Sequence, residues 1–367
     1  MPEINRKLIL EDGTEYRGTG FGCFAERVAE IVFNTSMTGY QEIVSDPSYT
    51  DQAVVMSYPL IGNYGVADED FESRLVSPSA FIVRDINDNP SNFRWAETLP
   101  ELLEENGVPG IYGIDTRKLV RSIRDSGSRR CIITDISVSV EEGLEKISGT
   151  PVPHDAVKRC SCAKKWYSRT SNPVYNVVAV DCGMKTNIVR MLNKNRCNVT
   201  VVPFDTGSEE ILALNPDGVL ISNGPGDPMD VPEAIETLKN LRGRVPMFGI
   251  CLGHQLISLA FGAKTYKLKF GHRGGNHPVK DVRTGKIEIT SQNHSYAVDP
   301  DSLAGTGLKA SHINILDGTV EGVYSDKDMV FSVQYHPESA PGPQDSGYLF
   351  SRFTELMKGV RENAEKN

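Results

Sequence analysis

Gly249-Ile250-Cys251-Leu252-Gly253 is the stretch of this chain best equipped for covalent chemistry. Val245 to Ile250 is a short apolar run bounded by Gly and Pro, as a buried parallel strand would be. From Leu252 the apolar residues recur at Leu256, Leu259 and Ala260, which is helical spacing, and Gly262 stops the run. Cys251 therefore falls on a tight strand-to-helix turn with Gly two places either side. Its side chain is expected to stand exposed above the sheet, with the first N–H groups of the new helix directed at whatever it attacks. The positive end of a helix dipole favours thiolate over thiol, so a cysteine there is a candidate nucleophile. The plainer alternative is that Cys251 is one more small buried hydrophobe, as most unpaired cysteines are. The flanking glycines favour the nucleophile.

A cysteine nucleophile needs a base, and the base needs a group that fixes its tautomer. Val330 to Tyr335 reads as a strand, followed by His336-Pro337-Glu338. On an extended segment, residues two apart project to the same side, so Glu338 can hold the His336 imidazole. His254 lies inside the nucleophile helix. His272, His277 and His294 read as loop residues without an acid in register, and His312 competes no better. Ser222-Asn223-Gly224-Pro225-Gly226-Asp227-Pro228 follows another apolar run, Gly218 to Ile221. Such a loop lets backbone N–H groups approach a ligand closely, as an oxyanion hole requires, although alone it is simply a good turn.

These pieces need a scaffold that gathers strand ends. From residue 175 onward strands and helices alternate: strands at 177–180, 199–202, 218–221 and 245–250, with helices around Ile188 to Leu192, Ser208 to Leu214 and from Pro232. That alternation predicts a parallel sheet with helices on both faces, whose ligands bind at the carboxyl ends of the strands. Residues 1–150 mix strand and helix. A hairpin is expected over Lys7–Leu10 and Glu15–Arg17 with an Asp-Gly turn, a helix capped by Asp115 and ended by Gly127, and a strand at Cys131–Thr134. Residues 151–174 lack periodicity and read as a linker, which leaves a second domain at 175–361.

At 367 residues, two domains are the default. The chain is 39% hydrophobic and 24% charged with a net charge of −9, and it has no apolar run of membrane-spanning length. No basic block points to nucleic acid. The N-terminus lacks an apolar signal core, so a cytoplasmic location is expected. Seven scattered cysteines argue against a disulfide framework. Cys160 and Cys162 near His154 lack the second ligand pair of a structural zinc site, so no metal is expected. Neither Gly183-Met184-Lys185-Thr186 nor Gly18, Gly20 and Gly22 matches a phosphate-binding loop.

Gly-Ile-Cys-Leu-Gly-His-Gln (249–255), Ser-Asn-Gly-Pro-Gly-Asp-Pro (222–228) and His-Pro-Glu (336–338) resemble the class I, triad, glutamine amidotransferases. Further motifs narrow the likeness: Phe33-Asn34-Thr35-Ser36-Met37-Thr38-Gly39-Tyr40-Gln41-Glu42, Asp46-Pro47-Ser48-Tyr49, Gly113-Ile114-Asp115-Thr116-Arg117 and 270–279, Phe-Gly-His-Arg-Gly-Gly-Asn-His-Pro-Val. With these the chain resembles the glutamine-hydrolysing small subunit of carbamoyl phosphate synthase, over nearly its whole length apart from the linker and the last few residues. The fold so implied is α/β: an N-terminal mixed α/β domain, then a class I amidotransferase domain whose mostly parallel sheet is flanked by helices.

By that resemblance, Cys251 attacks the glutamine amide to give a thioester, His336 passes protons and Glu338 orients it. The N–H groups of Leu252 and Gly224 would hold the oxyanion. Gly226, Gln255, Asn293, Ser295 and Tyr296 would grip glutamine, with Ser36 reaching from the first domain. Ser295 stands where the family usually has Gly, and Tyr335 where it has Gly or Phe. The resemblance also implies a large synthetase subunit that uses bicarbonate, ATP and Mg²⁺ and receives ammonia through an internal passage. Its carbamoyl phosphate would feed arginine and pyrimidine synthesis. No cofactor is expected in this chain itself. Other readings are the glutaminase partner of an anthranilate or guanylate synthetase, which would lack the first 150 residues; a non-catalytic scaffold, which would lack the triad; and a γ-glutamyl peptidase acting alone.

Overall fold

The computed structural model describes residues 3–366. The chain forms two compact units, 1–153 and 154–367.

In the first unit, among the described residues, seven strands close a barrel. They are Arg6–Leu10, Glu15–Gly22, Arg27–Asn34, Gln52–Met56, Ala80–Ile82, Pro109–Tyr112 and Arg129–Asp135. The first two pair as the expected hairpin, with Leu8 opposite Tyr16. The helix Thr116–Ser126 starts at Asp115, whose carboxylate accepts from the Lys118 N–H at 2.9 Å. The barrel itself was not expected. Closing it pairs the first strand with the last, Leu8 opposite Ile133, a contact that local patterns do not encode. Closure also explains the alternating glycines. A Cβ on Gly18 would strike the Tyr112 carbonyl, and one on Gly20 the stem of Arg6, which is 1% exposed. Val32, Val54, Phe81, Leu99 and Leu103 belong to the core of this unit.

The second unit is built on a ten-stranded sheet among the described residues. Its central strands, Cys197–Pro203, Tyr175–Asp181, Gly218–Ile221, Met247–Ile250 and Val330–Val333, lie side by side and parallel in that order. Apart from Cys197–Pro203, where Asn198 and Thr200 alternate with the buried residues, they send apolar residues to both faces. Val178, Val180, Val219 and Ile221 join one core with Leu238 and Leu241 of helix Pro232–Leu241 and Leu256 of helix Leu252–Ala260. Val177, Ala179, Leu220 and Phe248 join the other core with Ile188 and Leu192 of helix Thr186–Lys194 and Phe350 and Phe353 of helix Tyr348–Lys366. Burial on both sides is why these strands read as continuous hydrophobic runs.

Antiparallel strands extend both edges of this parallel centre. Residues 265–281, read from sequence as containing loop histidines, are the strand Thr265–Asp281, which pairs with Ile287–Val298 and sets His272 opposite His294. Within the segment read as linker, the helix Ala156–Cys160 buries Val157 in the first of the two cores. The strand Trp166–Ser168 pairs antiparallel with Cys197–Pro203 at the sheet edge. The segment is short and polar, so its elements carry no periodic signal; the sheet edge supplies their order. The division between the units falls after Pro153. Among the described residues no helix is long and apolar enough to cross a membrane, and the cysteines form no disulfide.

Candidate active site

Parallel pairing carries three sequence-distant segments to one rim. Ile221, Ile250 and Val333 end neighbouring strands, with Ile221 opposite Gly249 and Ile250 opposite Val333. Beyond those ends lie 222–228, Cys251, and 334–338. Cys251 caps the helix Leu252–Ala260 with φ 53° and ψ −104°. Positive φ is costly for a side chain larger than glycine and survives only where the surroundings impose it. Here they do. The Cys251 N–H donates to the Val333 carbonyl at 2.9 Å, and that of Gly253 to the Ser222 carbonyl at 3.0 Å. A Cβ on Gly249 would strike the Gly253 carbonyl, and one on Gly253 the Ile221 carbonyl. The two glycines let helix and strand close tightly around the cysteine.

The side chain of Cys251 does not stand exposed, as the sequence suggested. The residue is 2% exposed. The Ile287–Val298 strand and the segment after Val333 pack over it. Its sulfur donates to the Asn293 carbonyl at 3.6 Å and accepts from Gln334 Nε2 at 3.7 Å. Burial screens the sulfur from bulk water.

His336 and Glu338, 2% exposed each, complete the line. The imidazole Nδ1–H donates to Glu338 Oε1 at 2.6 Å. Burial opposes charge on His336, but the Glu338 carboxylate and the Cys251 sulfur outweigh it and lift the imidazole to about 10. Burial likewise works against the Glu338 carboxylate. The Lys185 ammonium first, then the His336 imidazolium, overcome it and hold Glu338 at about 2. His336 Nε2 has no acceptor in hydrogen-bond geometry among the described residues. It is close enough to the sulfur for Cys251 to contribute to that upward shift. The arrangement can keep a proton ready beside a nucleophilic sulfur.

From sequence, Lys185 reads only as part of a loop that does not match the phosphate-binding pattern. It is 2% exposed, and its ammonium lies 3.0 Å from Glu338 Oε1 and donates to the Ser339 carbonyl at 2.5 Å. Its backbone N–H donates to Asn223 Oδ1 at 3.1 Å, which ties it to the glycine-rich loop 222–228. Asn187 donates to the Glu338 carbonyl. No local sequence signal marks either residue, because their partners lie far along the chain. That Lys185 follows the buried strand Tyr175–Asp181 at the same sheet rim is the signal that could have found it.

Of the other expected contacts, Asn293 meets the Cys251 sulfur through its carbonyl, and Gln255 Nε2 donates to the Tyr296 carbonyl at 2.8 Å. Leu252 N–H, at the first helical position, has no intrahelical acceptor. Gly224 lies against the Leu252 side chain, where a Cβ would strike both Leu252 and the Cys182 carbonyl. Gly226 has φ 87°, which suits only glycine. The Ser295 hydroxyl accepts from Arg273 Nη2 at 2.5 Å. Ser36 belongs to the first unit, where its N–H donates to Asn34 Oδ1 at 2.6 Å. Tyr335 is fully buried, and its ring meets that of His312 edge-on at 5.7 Å.

His272, His277 and His294 lie on strands rather than in loops. His272 has acids within reach: Nε2 lies 2.7 Å from Asp317 and Nδ1 3.4 Å from Glu321. Burial opposes its charge, yet those two carboxylates lift it to about 9. His272, His294 and Glu321 are close enough together for a metal, but the charged imidazole already sits between two carboxylates. His254, buried against Ser332 Oγ at 2.8 Å, is driven down to about 3 by burial and stays neutral.

A strand-to-helix cysteine, a histidine–glutamate pair from the next strand and a glycine-rich loop on one rim define a class I glutamine amidotransferase. Residues 178–356 match that family, described as glutamine amidotransferase class-I. Residues 8–133 match the CPSase domain of the carbamoyl-phosphate synthase small chain. The chain is 51% identical over 357 residues to a carbamoyl phosphate synthase small chain of Staphylococcus epidermidis, covering 97% of each. It is 53% identical to one of Fusobacterium nucleatum, covering 98% of this chain and 99% of that one. Against one of Chlorobaculum tepidum the identity is 52%, with 98% and 100% covered. The chain belongs to the carbamoyl phosphate synthase small chain family.

Proposed function

We propose that this chain hydrolyses glutamine to glutamate and ammonia through a thioester on Cys251, and delivers the ammonia to a large synthetase subunit that makes carbamoyl phosphate. The observation that carries the reading is the buried line Lys185–Glu338–His336 ending at the sulfur, with its imidazole held at about 10. In this reading the sulfur attacks the amide carbon. The oxygen becomes an anion facing the N–H groups of Leu252 and Gly224, and His336 gives its proton to the departing ammonia. Neutral His336 then takes a proton from water, whose oxygen attacks the thioester and releases glutamate. Gly226, Gln255, Asn293, Ser295, Tyr296 and Ser36 are the proposed grip on glutamine.

The domain division follows the same reading, with residues 1–150 as a partner-binding half and 175–361 as the glutaminase. ATP, Mg²⁺ and bicarbonate belong to the large subunit, so this chain works without a cofactor of its own, in the cytoplasm. Support for the partner is chemical: free ammonia is wasted unless a second active site consumes it. A scaffold without turnover is disfavoured, since nucleophile, base and acid are all retained.

The test is synthesis by the two-subunit complex supplied with either glutamine or ammonium salt. Cys251→Ser should lose glutamine-dependent synthesis by several orders of magnitude and keep the ammonium-dependent reaction. A serine variant that still used glutamine would overturn the mechanism.

A further inference from the structure

Gln334 occupies the place between the strand Val330–Val333 and His336, and its side chain is completely buried beside the nucleophile. The orientation of its amide is fixed by its neighbours. The Tyr296 carbonyl can only accept, so the Gln255 nitrogen must face it, at 2.8 Å. The same nitrogen lies 3.0 Å from Gln334 Oε1 and donates its second hydrogen there. The Gln334 oxygen is thereby committed to Gln255, and its nitrogen faces Cys251 Sγ at 3.7 Å. The Gln334 backbone is pinned too, its N–H donating to the Glu321 carbonyl at 2.9 Å.

The sulfur also sits 3.6 Å from the Asn293 carbonyl. That contact is favourable for a thiol, which can donate, and unfavourable for a thiolate, which sets two sets of lone pairs against each other. A donor to the sulfur reverses the preference, because hydrogen bonds to charged acceptors are roughly twice as strong as neutral ones. The titratable groups around the sulfur are few. His336 faces it, backed by Glu338 and Lys185. His254, on its own helix, lies against Ser332. His294, on the neighbouring strand, lies between Gln292 and the Tyr296 carbonyl.

We propose that Gln334 is a further catalytic residue, a fixed N–H donor that stabilises the Cys251 thiolate and is itself held in register by the amide chain from Tyr296 through Gln255. This rests on the glutaminase reading for its consequence. When the sulfur loses its proton and pairs with the His336 imidazolium, the Gln334 N–H strengthens its bond to the new charge. When the S–C bond forms and the C–N bond breaks, that charge leaves the sulfur and the bond weakens again. The donor therefore favours the sulfur both as attacking group and, in the second half-reaction, as leaving group. Because Gln255 and Tyr296 are also proposed glutamine contacts, substrate binding acts on the same chain of amides.

The experiment is the pH dependence of Cys251 alkylation by iodoacetamide, followed on the Cys251 peptide by mass spectrometry in the full-length chain. Gln334→Leu should move the midpoint up by about one pH unit, slowing alkylation about tenfold below it. Gln334→Glu keeps an acceptor for Gln255 but sets a carboxylate against the sulfur, and should move the midpoint further. Profiles that superimpose on wild type would overturn the proposal. If the leucine variant loses its fold, the isosteric glutamate variant decides by the same criterion. Alkylation needs no glutamine, so a shifted midpoint in a chain without glutamine turnover would sink the glutaminase reading and leave the donor standing.

Discussion

At the scale of single residues, charge is placed where it does chemistry and then surrounded so that it cannot leak. Glu338 is held between Lys185 and His336 in a region closed to water. Removing one member of a buried ionic group strands the others, at about 3 to 5 kcal/mol, so Glu338→Gln should lower stability by that order. The pH dependence has a definite shape. His336 is raised from 6.5 to about 10, so its contribution is complete below about pH 6.5 and lost as pH climbs through about 10. Glu338 is lowered from 4.5 to about 2, so its contribution is complete above about pH 4.5 and lost as pH falls through about 2. The stability difference between wild type and Glu338→Gln should therefore be largest from about pH 4.5 to 6.5 and shrink on both sides. Denaturant midpoints across that range measure it; a difference independent of pH would show that the pair is not ionised as described.

At the scale of elements, the nucleophile turn depends on how closely helix Leu252–Ala260 approaches strand Gly218–Ile221. Gly253→Ala would force a Cβ into the Ile221 carbonyl. Overpacking of this kind costs about 1 to 3 kcal/mol. It would also shift the Leu252 N–H, and an ångström of misplacement can cost about a hundredfold in rate. We expect kcat to fall by about that factor with KM little changed. Gly262→Ala is the control: at φ 95°, with open space around it, it strains the backbone past the helix end and should lower the melting temperature without lowering kcat. Equal losses of kcat in both variants would contradict this role for the turn. The elements of this rim are readable from sequence because each strand is a short, mostly apolar run and each motif sits at its end. The histidine–glutamate pair was readable because its members are two residues apart. Lys185 and Gln334 were not, since a lysine after a strand or a glutamine before a histidine acquires meaning only when its partners arrive. The barrel and the Thr265–Asp281 hairpin escaped for the same reason. Their order lies in pairings such as Leu8 with Ile133 and His272 with His294, which local periodicity does not carry.

At the scale of the whole molecule, the two units carry different information. The second matches a family defined by a shared amidotransferase reaction, and the first a domain described only as part of the carbamoyl-phosphate synthase small chain. The specific partner should therefore be recognised largely by the first. A chain lacking residues 1–150 is expected to bind the large subunit at least a hundredfold more weakly, measurable by surface plasmon resonance or calorimetry. Full affinity would transfer that role to the second unit. The proposed reaction turns on one covalent bond. Rapid acid quenching of the complex during glutamine turnover, followed by mass spectrometry of the Cys251 peptide, measures it directly. The predicted result is a γ-glutamyl adduct on Cys251 that hydroxylamine removes and that builds up further in Glu338→Gln. Steady glutamate release with that peptide unmodified in both proteins, or with the adduct on another residue, would contradict it.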